Sequence, residues 1–206
     1  MSRAGRLGYC FGMEYGEAER IERLATIVGA APSLMRVLHT LRALALSDWL
    51  VMSGAVYQPV LNHLTGRAPD HGIKDYDIGY FDPSDISYAA EDRVIRRVAA
   101  AFDAPLREVV EVRNQARVHL WFEGKFGEPY TALSSTAEAL ERFVSPMFAV
   151  GVRLETDGRL HIEAPFGLAD LFALRLRPNP RRPSRGFERA AASAARRWPE
   201  LSIERV

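Results

Sequence analysis

The sequence predicts an α+β fold, and three observations carry that prediction. Apolar residues recur at helical spacing through residues 21–45. The pattern then alternates between short apolar runs and helical stretches over residues 48–143. Two alternating runs finally flank Asp157-Gly158 within residues 148–164, which predicts a β-hairpin.

Element by element, Ile21, Leu24, Ile27 and Val28 predict a first helix. Leu34, Val37, Leu38, Leu41, Leu44 and Ala45, after Pro32 and a Ser33 cap, predict a second, and together they read as an N-terminal helical hairpin. "DWLVMSG" (48–54) reads as a buried strand ending in small residues. "AVYQPVLNHLTG" (55–66) reads as a helix stopped by Gly66, starting late enough to keep Pro59 in its first turn. A strand around residues 72–83 follows, then a helix capped at Asp85 or Ser87 with Val94, Ile95, Val98 and Phe102 on one face. Residues 107–123 hold one long strand or two short ones. Ser135 and Glu138 form a capping box for a helix to about Phe143. The hairpin is a C-terminal extension, followed by a short helix at "GLADLFAL" and a Pro/Arg-rich loop, "RLRPNPRRPSRG".

The 206 residues fit a single domain with a helical part (1–46), a core (47–174) and an Arg/Pro-rich C-terminal part (175–206). Apolar content of 48% and charged content of 26% are those of a soluble globular protein. A net charge of +1 excludes coating nucleic acid through bulk charge and gives no strong evidence for DNA binding. No apolar run is long enough to cross a bilayer, the first twenty residues hold no continuous hydrophobic stretch, and Cys10 is the single cysteine. The expectation is a cytoplasmic protein without an internal disulfide. Arginine supplies nearly all the basic side chains, lysine occurring only at Lys74 and Lys125, so the C-terminal arginine tract reads as a solvated surface.

The chemistry concentrates in "GIKDYDIGYFDP" (72–83). Asp75 and Asp77 lie one residue apart in an apolar, aromatic strand and therefore share a face. Two ionised carboxylates side by side repel unless a cation lies between them. Upstream, a strand ends at Ser53-Gly54-Ala55 and a helix begins. Such a turn lets a phosphate approach the backbone and presents unpaired N–H groups at a positive dipole end. A phosphate cradle beside paired carboxylates is what nucleotide chemistry needs.

The order Ser53-Gly54-Ala55, helix, Gly66-Arg67, Asp75-x-Asp77 resembles the nucleotidyltransferase superfamily that includes DNA polymerase β and the tRNA CCA-adding enzymes. It departs from the pattern in lacking a second Gly or Ser after Gly54. "GAVYQPVLNHLTG", "IKDYDIGYFD", "VRNQARVHLWFEGKFG", "LSSTAEAL" and "APFGLADLF" together are similar to a bacterial family of nucleotidyltransferase-like proteins. The resemblance implies a mixed β-sheet flanked by helices, Mg²⁺ or Mn²⁺ held by Asp75 and Asp77, and an NTP such as ATP as substrate. It also implies a third carboxylate on a later strand. Glu111 is the best candidate, because Val110 and Val112 would face the other way, with Glu123 and Glu163 as alternatives.

If the strand continues past Arg113, Arg117 and His119 share the Glu111 face, where Arg117 could hold a triphosphate and His119 a base or ribose. Asn114-Gln115 could equally make a turn or read a base edge, and Ser134, Ser135 and Thr136 either touch phosphate or cap a helix. The reading is an Mg²⁺-dependent nucleotidyltransferase. Ser53, Gly54 and Ala55 hold phosphates, Asp75, Asp77 and Glu111 hold metal, and the acceptor is a small molecule, a protein or an RNA. The alternatives are a non-catalytic nucleotide- or partner-binding protein of the same fold, or an RNA-binding module using the arginine tract.

Overall fold

Tyr76, Ile78 and Tyr80 alternate with Asp77 and Gly79, and that alternation decides how the chain layers. In a computed structural model describing residues 15–205, this run is β2 (Tyr76–Tyr80), beside β1 (Leu50–Met52) in a five-stranded mixed sheet. Residues 1–14 of the N-terminal stretch read for a leader, Cys10 among them, lie outside the described residues. The sheet order is β3-β2-β1-β4-β5, with β3 (Val110–Asn114), β4 (Gly151–Leu154) and β5 (Leu160–Glu163). Only β2 and β3 run parallel, joined by α4 (Tyr88–Ala100) and the short α5 (Leu106–Val109). The hairpin at Asp157-Gly158 is β4–β5 and extends the sheet beyond β1.

One face of the sheet carries Val51, Tyr76, Ile78, Val112 and Val152, all buried. It packs in the main core with α1 (Glu17–Gly29), α2 (Pro32–Leu44) and α3 (Gly54–Leu64). The N-terminal helices meet at 94°, so the hairpin is a corner. Pro32 occupies the first turn of α2, which makes Ala31 the N-cap and leaves the expected Ser33 inside the helix. Ser87 caps α4, its Oγ accepting from the Ala90 N–H at 3.2 Å.

The opposite face is more polar and is covered by α7 (Thr136–Leu140) and a small cluster of Leu50, Met52, Leu140 and Ala149. A side chain at Gly79 would meet Met52 Cε at 2.7 Å and Thr136 Cγ2 at 2.9 Å, so glycine lets this second layer close on β2. Ser135 caps α7 as expected, accepting from Glu138 N at 3.1 Å, but the helix ends at Leu140, short of Phe143. No single helix among the described residues is long and apolar enough to cross a membrane.

Two expectations are corrected. First, α3 begins at Gly54 and holds Pro59 in its interior; the buried helix keeps its line although the Pro59 ring removes one N–H donor. Second, residues 107–123 form neither one long strand nor two. The strand ends at Asn114, whose Oδ1 accepts from Ala116 N at 3.1 Å and opens a 3₁₀ helix, Gln115–Leu120, followed by α6 (Phe122–Phe126). The Arg/Pro-rich segment is loop over residues 177–186, as expected, and it is flanked by regular elements on both sides. After α8 (Ala169–Phe172), β6 (Arg175–Leu176) pairs in parallel with β7 (Ser202–Ile203), and α9 (Phe187–Arg197) packs Phe187, Ala191 and Ala194 into the core. Trp198 is fully buried behind it.

Candidate active site

The register of the sheet assembles the site. Asp77 is opposite Met52 on the β1 side and opposite Glu111 on the β3 side, so Asp77 and Glu111 are neighbours on the polar face. Asp75 immediately precedes β2 and lies two residues from Asp77. Since β1 runs antiparallel to β2 and Met52 faces Asp77, the next residues, Ser53 and Gly54, emerge beside Tyr76 and Asp75. The predicted turn and the aspartate pair therefore meet at one edge of the polar face.

The turn carries strain. Ser53 adopts φ 54°, ψ −120°, a conformation that costs a non-glycine residue on the order of 1–3 kcal/mol. It is held by Ser53 N donating to Val150 O at 2.8 Å and by Ser53 O accepting from Val56 N and Tyr57 N, both at 2.9 Å. Ser53 gives α3 no side-chain cap, so the leading N–H groups at Gly54 and Ala55 are those a phosphate would engage. A Cβ at Gly54 would lie 2.7 Å from Gln58 Nε2, and Gln58 Oε1 is itself buried without a partner.

Negative charge is in excess here. Burial, then Asp75 and Glu111, push the Asp77 carboxyl up to about 6, with Arg113 pulling weakly the other way. Burial and then Glu111 raise Asp75 as well, opposed by Lys74 and Arg197. Hard oxygen donors in a half-buried site short of positive charge fit a divalent cation. Among the described residues no three His, Cys, Asp or Glu side chains already converge on one point, and the Glu111 carboxylate lies 3.7 Å from Arg113.

Other expected site residues are not brought to the pair. With β3 ending at Asn114, the face-sharing argument for Arg117 and His119 fails, because both lie on the 3₁₀ helix. Arg117 Nη1 instead pairs with Glu91 at 2.5 Å, and its Nε donates to Ile86 O at 3.2 Å. Glu91 is buried and also accepts from Asn114 N at 2.9 Å, so Arg117 balances a charge that α4 buries against β3. His119 has a buried Nδ1 with no hydrogen-bond partner and does not line the cavity beside Asp77.

Glu163 shares the Asp77 row, but Met52 and Gly151 intervene. Three strand spacings of about 4.8 Å put it roughly 14 Å away, and its Oε1 is 2.8 Å from His161 Nε2. Glu123 is exposed on α6. Thr136 and Ser135 are committed to Asp48 and Glu138.

Sequence reasoning missed the part of the site that comes from the C-terminus. Arg197 Nη1 donates to Gly72 O at 2.9 Å, in the loop leading to Asp75. Burial pushes the Tyr57 hydroxyl above its ordinary pKa, with Arg197 pulling it down and Asp77 pushing it up. Trp198 Nε1 donates to Asn62 Oδ1 at 2.9 Å, while Asn62 Nδ2 donates to Pro69 O at 3.0 Å and His71 O at 2.8 Å. One amide on α3 thus ties down both the loop before Asp75 and the end of α9. The spacing Phe187, Ala191, Ala194, Trp198 is the signal that could have revealed α9.

Nor is the arginine tract a solvated surface throughout. A cavity of about 950 Å³ opens beside Asp77 and Glu111, and Arg182, Arg185 and Arg189 line it. Its other walls are aromatic: Trp121, Phe122, Phe126 and Tyr130.

A solved structure described as a CCA-adding enzyme head domain matches with a TM-score of 0.70 and 21% identity, covering 90% of this chain and 96% of that one. At that identity the likeness establishes a common fold. No curated protein matches the sequence. The sequence profile described as "Nucleotidyltransferase" matches residues 39–203, which include β1, α3, the aspartate strand, β3 and α9, and the chain accordingly belongs to the nucleotidyltransferase family.

Proposed function

We propose that the protein moves a nucleoside monophosphate from an NTP to an acceptor hydroxyl, releasing pyrophosphate. The observation that carries this reading is the pairing of Asp77 with Glu111 beside Asp75, on a face that leaves their charge uncompensated. Asp75 and Asp77 would hold Mg²⁺ or Mn²⁺, with Glu111 as third donor. A bound divalent cation supplies positive charge to the triphosphate and lowers the pKa of the attacking hydroxyl.

The chain's own groups account for the rest. The N–H groups at Gly54 and Ala55 hold the β- and γ-phosphates at the start of α3. The strained Ser53 turn keeps those groups aimed before the nucleotide arrives. Arg197 fixes the loop that positions Asp75. The acceptor oxygen forms a bond to the α-phosphorus, the α–β bridging P–O bond breaks, and pyrophosphate leaves with its electron pair. Glu111, exposed to the cavity, either completes the cation's donor set or takes the hydroxyl proton.

A second reading, nucleotide binding without turnover, draws on one observation: Glu111 lies nearest a cation of its own strand, Arg113. A crystal structure with Mg²⁺ and a non-hydrolysable NTP tests the proposal. The triphosphate is expected at Gly54 with the cation between Asp75 and Asp77. A nucleotide seated elsewhere, or none at millimolar concentration, would overturn it.

A further inference from the structure

The cavity beside Asp77 is lined by charges of both signs. The Asp77 and Glu111 carboxylates line it, as do Glu128 and a larger number of cations. Several of those cations are already matched. Arg182 pairs with Glu128 at 2.9 Å, Arg142 with Glu138 at 3.0 Å, and Arg113 lies 3.7 Å from Glu111. Lys125, Arg185 and Arg189 have no carboxylate within ion-pair distance among the described residues. An anion entering the cavity would meet these three side chains without first breaking an ion pair.

The cavity is built rather than incidental. Glu128 Oε1 accepts from both Ser184 Oγ and Arg185 N at 3.1 Å, which fixes the loop that presents Arg185. Arg182 lies over the Phe122 ring at 5.1 Å and the Tyr130 ring at 5.6 Å, locking that loop to the aromatic wall. Lys125 sits 5.5 Å from the Trp121 ring centre. Flat apolar rings and fixed cations thus share one wall.

We infer that this cavity is the acceptor subsite, and that its acceptor is a small molecule carrying a flat ring and an anionic group, phosphate or carboxylate. The ring lies against the Trp121–Phe122 wall, the anion meets Arg185, Arg189 and Lys125, and the hydroxyl reaches Asp77 and Glu111. This rests on the nucleotidyl-transfer reading. The cavity touches Asp77 and Glu111 but none of Ser53, Gly54 or Asp75, so it is a place apart from the triphosphate cradle. Its volume, about 950 Å³, is that of a small-molecule pocket.

Phenyl phosphate is the probe, read by the indole NMR signal of Trp121. The other tryptophans, Trp49 and Trp198, are buried at 5% and 0% exposure and serve as internal controls. Phenyl phosphate and benzoate are each expected to move the Trp121 signal alone, the stronger of the two naming the preferred anion, and inorganic phosphate to bind more weakly than either ring-bearing probe. Arg185→Ser with Arg189→Ser should weaken phenyl phosphate at least tenfold, and lysine at both positions should restore most of it. Both arginines are exposed, so the variants should fold, which a melting curve checks.

Titration of a non-hydrolysable NTP with Mg²⁺ into the same proteins separates the two readings. If the parent binds phenyl phosphate but no nucleotide, nucleotidyl transfer falls and the anion subsite stands. Three results would overturn the inference: an unmoved Trp121 signal, a double variant that loses NTP as severely as phenyl phosphate, or a single-stranded RNA oligonucleotide binding through these arginines more tightly than the small probes.

Discussion

Replacing Asp77 with asparagine should stabilise the metal-free protein. In the folded state the Asp77 carboxyl titrates at about 6, against 3.8 for an ordinary aspartate. The folded chain therefore holds this proton more tightly than the unfolded chain does, and the ionised carboxylate weighs against folding at neutral pH. Full expression of a rise to about 6 corresponds to about 3 kcal/mol. Because the side chain is only partly buried, solvent screening reduces this to about 1–2 kcal/mol. For a chain of this size that is a melting temperature roughly 2–8 °C higher for Asp77→Asn at pH 7.5 in EDTA. Below pH 3.8 both states are protonated and parent and variant should melt alike; the gap should open up to about pH 6 and stay level above it. Millimolar Mg²⁺ should reverse the order, since only the parent gains by mass action from binding in the folded state. Thermal melts from pH 4 to 8, with and without Mg²⁺, make the test. An Asp77→Asn protein that melts below the parent in EDTA at pH 7.5, or a gap independent of pH, refutes the reasoning.

Gly54→Val places a side chain against the terminal amide of Gln58, a side-chain end rather than backbone, so the melting temperature should stay within a few degrees while NTP affinity, by calorimetry, drops at least tenfold. Glu111→Gln should lower turnover by roughly 10²-fold or more with an almost unchanged melting curve, because the side chain is exposed; pyrophosphate release at parental levels would remove Glu111 from the chemistry. Arg117→Ala should cost about 3–5 kcal/mol in denaturant unfolding by leaving Glu91 buried and unpaired. The folded fraction of that variant should still bind NTP, and selective loss of NTP affinity would return Arg117 to the site.

The β1–α3–β2 segment and the side of the sheet taken by Glu111 were legible because each follows from a short-range rule. An apolar run ending in small residues gives strand then turn, and alternation sends Val110 and Val112 one way and Glu111 the other. The end of β3 was not legible in the same way. Asn114 leaves the strand because its N–H is taken by Glu91 and its side chain caps the next turn, and a partner 23 residues earlier leaves no mark on local periodicity. The same holds for Arg117, whose role depends on that buried glutamate. α9 was hidden differently. No helix was read beyond the Arg/Pro-rich loop, although Phe187, Ala191, Ala194 and Trp198 trace one helical stripe just past it. Arg189 on that helix lines the cavity, and only tertiary packing places it there.

The ties from Asn62 to Trp198 and from Gly72 to Arg197 span 136 and 125 residues, and they set a timetable for the nascent chain. At about 5–20 residues per second, the ribosome delivers Arg197 roughly 6–25 s after Gly72. During that interval the loop before Asp75 has emerged while both of its distant anchors are still to be made. Asp75 and Asp77 are then a pair of repelling carboxylates on an untethered segment, with nothing to aim them. A nucleotide or cation met at that moment finds acidic chain, and only the arrival of the last helix converts it into a site.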